Sequence, residues 1–282
     1  MEVTNYVYNE YIDRLIELSF DEDVFTGDVA TQAIKPKNEY AEATLTAKAD
    51  GVVSGIEIAR KVISYLGESE FTPLVSDGDW VTKGQDILMI KARYDHLLSS
   101  ERIMLNFLQR MSGIATATNK LVKLIEHTNT KLLDTRKTIP GHRVTDKLAV
   151  RHGGGNNHRM GLYDMAMLKD NHIKAAGGIT PAVEQARRVL SISTRIEVEA
   201  ATLEQVREAL AAGADIIMLD NMSVEMMKEA VAIVNGRAKT EASGNINENT
   251  IVAVAETGVD YISVGALTHS VKALDISMNF KE

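Results

Sequence analysis

At 282 residues the chain can hold one large domain or two ordinary ones, and 45% apolar with 25% charged residues is an ordinary composition for a globular protein. A formal charge of −8 argues against generic nucleic-acid or membrane-surface binding, and the lack of cysteine removes disulfides, thiolate nucleophiles, iron–sulfur clusters and cysteine-ligated zinc. No apolar run approaches the ~18 residues of a membrane span, and the start MEVTNYVYNEYIDRL has neither a basic nor an apolar leader region, so a cytoplasmic protein is expected.

Residues 5–19 read as a helix with Tyr8, Tyr11, Ile12 and Leu15 near helical spacing, followed by an acidic loop over 20–31. Residues 41–55 alternate as a strand, turn at Asp50-Gly51 and continue; 56–67 form a helix that Gly67 ends. The stretch 76–92 reads as a strand–turn–strand hairpin punctuated by Gly78 and Gly84. One or two long helices follow over 95–126, with Leu98, Ile103, Leu105, Leu108 and Met111 as their apolar face.

Beyond residue 130 short β-type runs alternate with helical ones. Strands are expected at 130–136, 164–169, 195–199, 215–220, 239–243 and 260–265. Thr180-Pro181, the Thr202/Gln205 capping box and Ser223 start helices, and Gly213, Gly236 and Gly258 stop them. Strand ends at 199, 220, 243 and 265 fall 21 to 23 residues apart, the length of a compact βα unit. Repeated βα units imply a parallel sheet. A short or incomplete α/β barrel is the first choice and a doubly wound sheet the runner-up, since the first strand leads into TRKT rather than a glycine-rich phosphate turn.

Chemistry in such a barrel belongs at the C-terminal strand ends. Read in order, these carry Arg136-Lys137, Lys169, Glu199, Asp220, Ser243-Gly244 and Gly265, all polar or glycine. Early strands supply cations, joined by His158 and Arg159 on the intervening loop, which suit a multiply anionic ligand. Middle strands supply two acids, suited to ribose hydroxyls or Mg²⁺. The last two turns, ASGNIN and SVGALTHS, offer backbone N–H groups to a phosphate. The triple glycine 153–155 fits a close backbone approach or a mobile loop. His142, His152, His158 and His172 cluster in sequence without metal-ligand spacing, so histidine–metal ligation is disfavoured.

The motifs DTRKTIPG, GGGNNHRMGLYD, LKDNHI, IEVEA, MLDN, EASGNI and SVGALTHS, with DEDVFTGDVAT and SSERIMLNFLQRMSGIAT before them, closely resemble quinolinate phosphoribosyltransferase over essentially the whole chain. The resemblance implies transfer of phosphoribosyl from phosphoribosyl pyrophosphate to quinolinate with loss of CO₂ and pyrophosphate, in de novo NAD synthesis with Mg²⁺. It implies an N-terminal α/β sandwich domain (1–110, joined by the tail 270–282) and an irregular six- or seven-stranded parallel α/β barrel (111–269). It also implies a homodimer with shared active sites, or a higher oligomer.

By the same resemblance Arg136, His158, Arg159 and Lys169 would hold the quinolinate carboxylates, with Arg102 reaching in from the other subunit. Lys137 would lie near the pyrophosphate. Glu199 and Asp220 would contact ribose and metal. Ser243, Gly244, Asn245 and Gly265 would hold the 5′-phosphate, with His269 close by. Asn245 stands where many members have a second glycine. Lys137, Lys169, Glu199 and Asp220 are the expected catalytic set. A sister phosphoribosyltransferase associated with molybdenum transport, or a non-catalytic phosphosugar-binding protein, are the alternatives.

Overall fold

The computed structural model of the chain describes residues 2–34 and 38–281. It resolves into two compact units, Met1–Asn119 with Thr138–Gly154 and Thr268–Glu282, and Lys120–Lys137 with Gly155–Leu267. The expected division at residue 110 is thus interrupted: residues 138–154 cluster with the first unit.

The first unit opens with α1 (Glu2–Asp23) and α2 (Val29–Ala33). Helix α1 runs on into the stretch expected to be an acidic loop. It buries Ile12, Ile16 and Phe20, whereas Tyr11 is exposed. Asp28 caps α2, its carboxylate accepting from the Thr31 amide at 3.0 Å. Strand β1 (Tyr40–Ala47), β2 (Gly51–Val52), α3 (Ile56–Leu66), β3 (Ser69–Pro73), β4 (Trp80–Val81), β5 (Asp86–Arg93) and the single long α4 (Tyr94–Leu124) follow in order.

The antiparallel sheet runs β12–β1–β5–β3, with β12 (Ile276–Phe280) from the tail beside β1. Period-2 alternation sends Ala43, Leu45 and Ala47 of β1 to one face. There they meet Leu88 and Ile90 of β5 and Ile276 and Met278 of β12, all buried. Burying one such aliphatic side chain is worth about 1.5–3 kcal/mol. The expected hairpin at 76–92 does not form. Strand β4 pairs with β2, while β5 pairs with β1 and β3. The Gly84 turn (φ 90°) donates its amide to Ala47 and so hands the chain from one sheet to the other.

The second unit is a six-stranded parallel sheet, β6–β11–β10–β9–β8–β7. It comprises β6 (Lys131–Leu133), β7 (Ala166–Leu168), β8 (Ile196–Ala200), β9 (Ile216–Asp220), β10 (Lys239–Ser243) and β11 (Tyr261–Ser263). The strands run in barrel order from β7 round to β6. A parallel bridge between Leu133 and Asn156 adds a partial seventh position beside β6. Strands β8 and β9 are buried almost throughout, and β9 accordingly reads as a near-continuous apolar run, while β8 takes Glu197 into the interior.

Outer helices α7 (Ile179–Val189), α8 (Leu203–Ala211), α9 (Val224–Val234) and α10 (Ile251–Ala255) cover the sheet through Val183, Val206, Ala230 and Val254. Thr202 and Gln205 form the expected reciprocal cap, Ser223 caps α9, and the helix-stopping Gly213, Gly236 and Gly258 all take positive φ. Helix α11 (Ala266–His269) starts where the turn at Gly265 is expected to lead into a helix, whereas α5 (Arg143–His152) and α6 (Asp170–Ala176) follow no start signal singled out in the sequence.

Asp260 ties β10 to β11. Its carboxylate accepts from the Thr240 amide (2.9 Å), the Thr240 hydroxyl (3.1 Å) and Lys239 Nζ. Burial alone would raise this carboxyl, but the hydrogen bonds from Lys239 and Thr240 outweigh it and hold its pKa below the ordinary value. A lowered folded pKa contributes stability above the unfolded value near 3.9, lost as pH falls through the folded one. The Tm gap between wild type and Asp260→Asn is therefore expected to be full at pH 7 and to shrink below about pH 4, as read by thermal melts across that range.

Candidate active site

The C-terminal ends of β6 to β11 gather most of the residues singled out from the sequence. Arg136 and Lys137 are exposed on the loop after β6. Below them, fully buried Asp134 accepts from Asn157 Nδ2 (2.6 Å) and from the His158 amide (2.9 Å), pinning the segment that carries Arg159. The Arg159 guanidinium turns toward β7, donating to the Met165 carbonyl at 2.9 Å. Burial, and then the positive charge of Arg136, push the Arg159 pKa down. Two guanidiniums that repel one another at the mouth of a sheet form a site that an anion relieves.

Lys169 ends β7 and caps α6, its amide donating to His172 Nδ1 at 3.1 Å. Its Nζ lies 3.4 Å from Glu199 Oε1 on the neighbouring strand. Glu199 is 18% exposed and Lys169 47%, so the acid is held by the fold and the amine reaches toward solvent. Both face a cavity of about 690 Å³, which Asp170, Lys174, Gln205 and Asp220 also line. Glu199 and Asp220 thus offer carboxylate oxygens to one space. These are the hard donors that Mg²⁺ takes together with substrate phosphates, so the residues present fit that ion.

Asp220 ends β9 directly opposite Ser243, the last residue of β10. The next two residues both take left-handed backbone, Gly244 at φ 104° and Asn245 at φ 51°. Asparagine tolerates that conformation, so the turn forms without a second glycine. Gly265 forms the corresponding turn between β11 and α11.

His158 departs from its expected place. Its side chain is only 7% exposed, with Nε2 3.3 Å from Glu197 and 3.2 Å from Glu241, two buried acids inside the barrel. Burial opposes its charge, but hydrogen bonding to both carboxylates outweighs it and pushes the imidazole up to about 10. The Arg159 amide, however, donates to Nδ1 at 2.7 Å, which requires a lone pair there. The hydrogen bond is the sharper constraint, because a doubly protonated ring would set two N–H groups against each other. The ring then carries its proton on Nε2, between the two carboxylates, while burial raises the pKa of Glu197. These three side chains lie close enough to hold a metal ion. Ligation through Nε2 would instead need the proton on Nδ1, so the cluster is a hydrogen-bonded one.

The other histidines have separate partners: His152 Nδ1 meets Ser54 Oγ at 2.8 Å, His142 packs against Phe107, and His172 caps α6. The triple glycine also resolves. A Cβ on Gly153 would stand 2.4 Å from the Ala115 carbonyl, so it serves close packing against α4. Arg102, on the exposed face of α4, and His269, bonded to Ser270 at 2.8 Å, belong to the first unit. Sequence reasoning passed over Asp134, Glu197 and Glu241. The available signal was an acid in mid-strand, Glu197 between Ile196 and Val198 and Glu241 beside Ala242, where a strand buried on both faces leaves a side chain no route to water.

Comparison with known proteins places the chain in a family. Residues 28–112 match the quinolinate phosphoribosyl transferase N-terminal domain, and 114–279 the C-terminal domain. A Bacillus subtilis protein named probable nicotinate-nucleotide pyrophosphorylase [carboxylating] is 45% identical over 95% of this chain and 93% of its own length. An Arabidopsis thaliana chloroplastic nicotinate-nucleotide pyrophosphorylase [carboxylating] is 44% identical over 95% and 82% respectively. The solved nicotinate-nucleotide pyrophosphorylase from Francisella tularensis superposes with a TM-score of 0.93 at 45% identity, covering 97% of both chains. With both domains matched in order along the chain, the protein belongs to the quinolinate phosphoribosyltransferase family.

Proposed function

We propose that the protein transfers phosphoribosyl from phosphoribosyl pyrophosphate to quinolinate, releasing pyrophosphate and CO₂ and forming nicotinate mononucleotide, as a step in NAD biosynthesis. The observation that carries the reading is the order of charge round one end of the parallel sheet. Cations follow β6 and β7, acids end β8 and β9, and left-handed or glycine turns follow β10 and β11.

Arg136, Arg159 and Lys169 take the two ring carboxylates. His158 acts from beneath, its ring holding the Arg159 amide while its Nε2 is committed to the glutamates. Glu199 and Asp220 accept the ribose hydroxyls, and Ser243, Gly244, Asn245 and Gly265 surround the 5′-phosphate. Lys137 steadies the departing pyrophosphate. Mg²⁺, held by Glu199 and Asp220, would supply charge neutralisation at that leaving group.

Departure of pyrophosphate leaves cationic character at C1 of the ribose, which the two carboxylates stabilise electrostatically. Attack by the pyridine nitrogen makes the ring cationic, an electron sink for the bond to the adjacent carboxylate, so CO₂ leaves without a strong base and the electron pair left on the ring carbon takes a proton from water. The protein contributes placement and charge. The reading also includes a cytoplasmic location and a homodimer, in which Arg102 from the exposed face of α4 completes the partner's site. Among the described residues no helix is long and apolar enough to cross a membrane.

The test is a turnover assay with quinolinate labelled at its 2-carboxylate, run beside one with nicotinate as acceptor. Labelled CO₂ should appear only when phosphoribosyl pyrophosphate is present, and nicotinate should yield no nucleotide. Nucleotide formation from nicotinate without CO₂ release from quinolinate would overturn the assignment.

A further inference from the structure

Asn221, immediately after the acid of β9, has no assigned role above, yet three separate features converge on it. Its backbone is left-handed, φ 54°, and its amide donates to the Ser243 carbonyl at 2.9 Å. Its side-chain Nδ2 donates to Asp220 Oδ2 at 2.9 Å. Its Oδ1 faces the neighbouring turn, where Asn245 Nδ2 approaches at 3.5 Å. The fit to that turn is tight, because a Cβ built on Gly244 would fall 2.2 Å from this same Oδ1. Gly244 is therefore required for two reasons, its positive φ and the presence of Asn221 over it.

We propose that Asn221 is a positioning residue that locks the Asp220 carboxylate to the Ser243–Asn245 turn, so that the ribose-hydroxyl acceptor and the 5′-phosphate cradle are set as one rigid unit. The amide is suited to the task because its two ends differ. The NH₂ end satisfies one carboxylate oxygen and leaves the other for ligand, while the carbonyl end accepts from the turn. Aspartate at this position would set a like charge against Asp220, and a longer side chain would enter the space over Gly244. The ribose hydroxyls and the 5′-phosphate lie at a fixed separation within one sugar phosphate. A linker between their two binding groups therefore favours that ligand selectively and does little for the dicarboxylate. The inference rests on the phosphoribosyl reading of this end of the sheet.

The experiment is calorimetry of ribose 5-phosphate and, separately, of quinolinate on the full chain, wild type against Asn221→Gly. Glycine retains the left-handed backbone and removes the side chain. Asn221→Asp is a second variant that keeps the volume and reverses the donor, so a folding defect peculiar to one replacement does not decide the outcome. Both variants should weaken ribose 5-phosphate about tenfold, the loss of one hydrogen bond to a charged group, and leave quinolinate affinity within about twofold. In turnover the KM for phosphoribosyl pyrophosphate should rise while that for quinolinate holds. Undiminished ribose 5-phosphate affinity in both variants overturns the proposal. So does equal weakening of both ligands, the mark of general loosening, and so does a wild type with no measurable ribose 5-phosphate binding. A wild type that binds the sugar phosphate with the expected variant loss, yet releases no CO₂ from quinolinate, overturns the acceptor assignment and leaves the positioning role standing.

Discussion

Replacing Lys169 with alanine is expected to lower kcat/KM for quinolinate about 10²- to 10³-fold, with the affinity for ribose 5-phosphate little changed. The amine lines the cavity 3.4 Å from Glu199 and is itself half-exposed to solvent. An ammonium beside a carboxylate at a cleft mouth is placed to grip an anion. Its exposed pairing with Glu199 costs little to rearrange when a ligand carboxylate arrives. A Schiff-base lysine wants the opposite setting, an apolar pocket or a second cation that keeps the amine neutral. Borohydride added with substrate should accordingly trap no adduct on the wild-type enzyme. Steady-state kinetics on Lys169→Ala and mass measurement of the borohydride-treated protein check the two halves of this expectation. A covalent adduct at Lys169, or an alanine variant within a few-fold of wild type, would remove Lys169 from the anion site.

The barrel was legible because parallel strands buried on both faces leave a distinct trace: short apolar runs, each closed by one polar residue. Asp220, closing the apolar run IIML, shows this most plainly, whereas Ser243 closes a strand, KTEAS, whose sequence is mostly polar. They end adjacent strands, pair directly in register, and were visible as IIMLD and KTEAS before any pairing was known. What escaped was of two kinds. Helices α5 and α6 were hidden because their polar residues drew attention as motifs. Half of the buried residues of α5 are polar or charged, Thr145, Asp146 and Lys147, so no simple apolar stripe announced it.

The second kind is long-range pairing. Glycine at 78 and 84 signals a turn but cannot say which strand lies alongside, and β4 and β5 part company to join different sheets. Strand β12 finds β1 from the far end of the chain, and edge strand β3, largely exposed with Pro73 at its end, has almost no alternation to read. His158 illustrates the same limit within the site. Its position in the motif was plain, but only the fold reveals that two glutamates from β8 and β10 claim its Nε2.

The largest expected loss of stability comes from Arg110, which has no part in the proposed chemistry. From α4 it grips Asp146 of α5 with two parallel hydrogen bonds, Nε to Oδ1 at 2.9 Å and Nη2 to Oδ2 at 2.7 Å, and also donates to the Thr268 carbonyl at 3.1 Å. The Asp146 side chain is wholly buried. Burial already raises its pKa, with Arg110 working against that rise. Arg110→Ala would leave a buried carboxylate and an orphaned carbonyl, a loss of about 3–5 kcal/mol by urea denaturation.

The sign of its pH dependence follows from the same geometry. Without the guanidinium the folded pKa of Asp146 moves further above its unfolded value. A raised acid group favours the fold at pH below the unfolded value, and that contribution is lost as pH rises through the folded one. The stability gap to wild type should therefore widen from pH 5 to pH 8. A paired Arg110→Met, Asp146→Leu variant should recover most of the loss, because it removes both charges together and leaves no polar group stranded. A single variant that costs under about 1 kcal/mol, or a gap that stays flat with pH, would mean that water or another cation reaches Asp146 once the arginine is gone. The α4–α5 contact would then depend on packing alone.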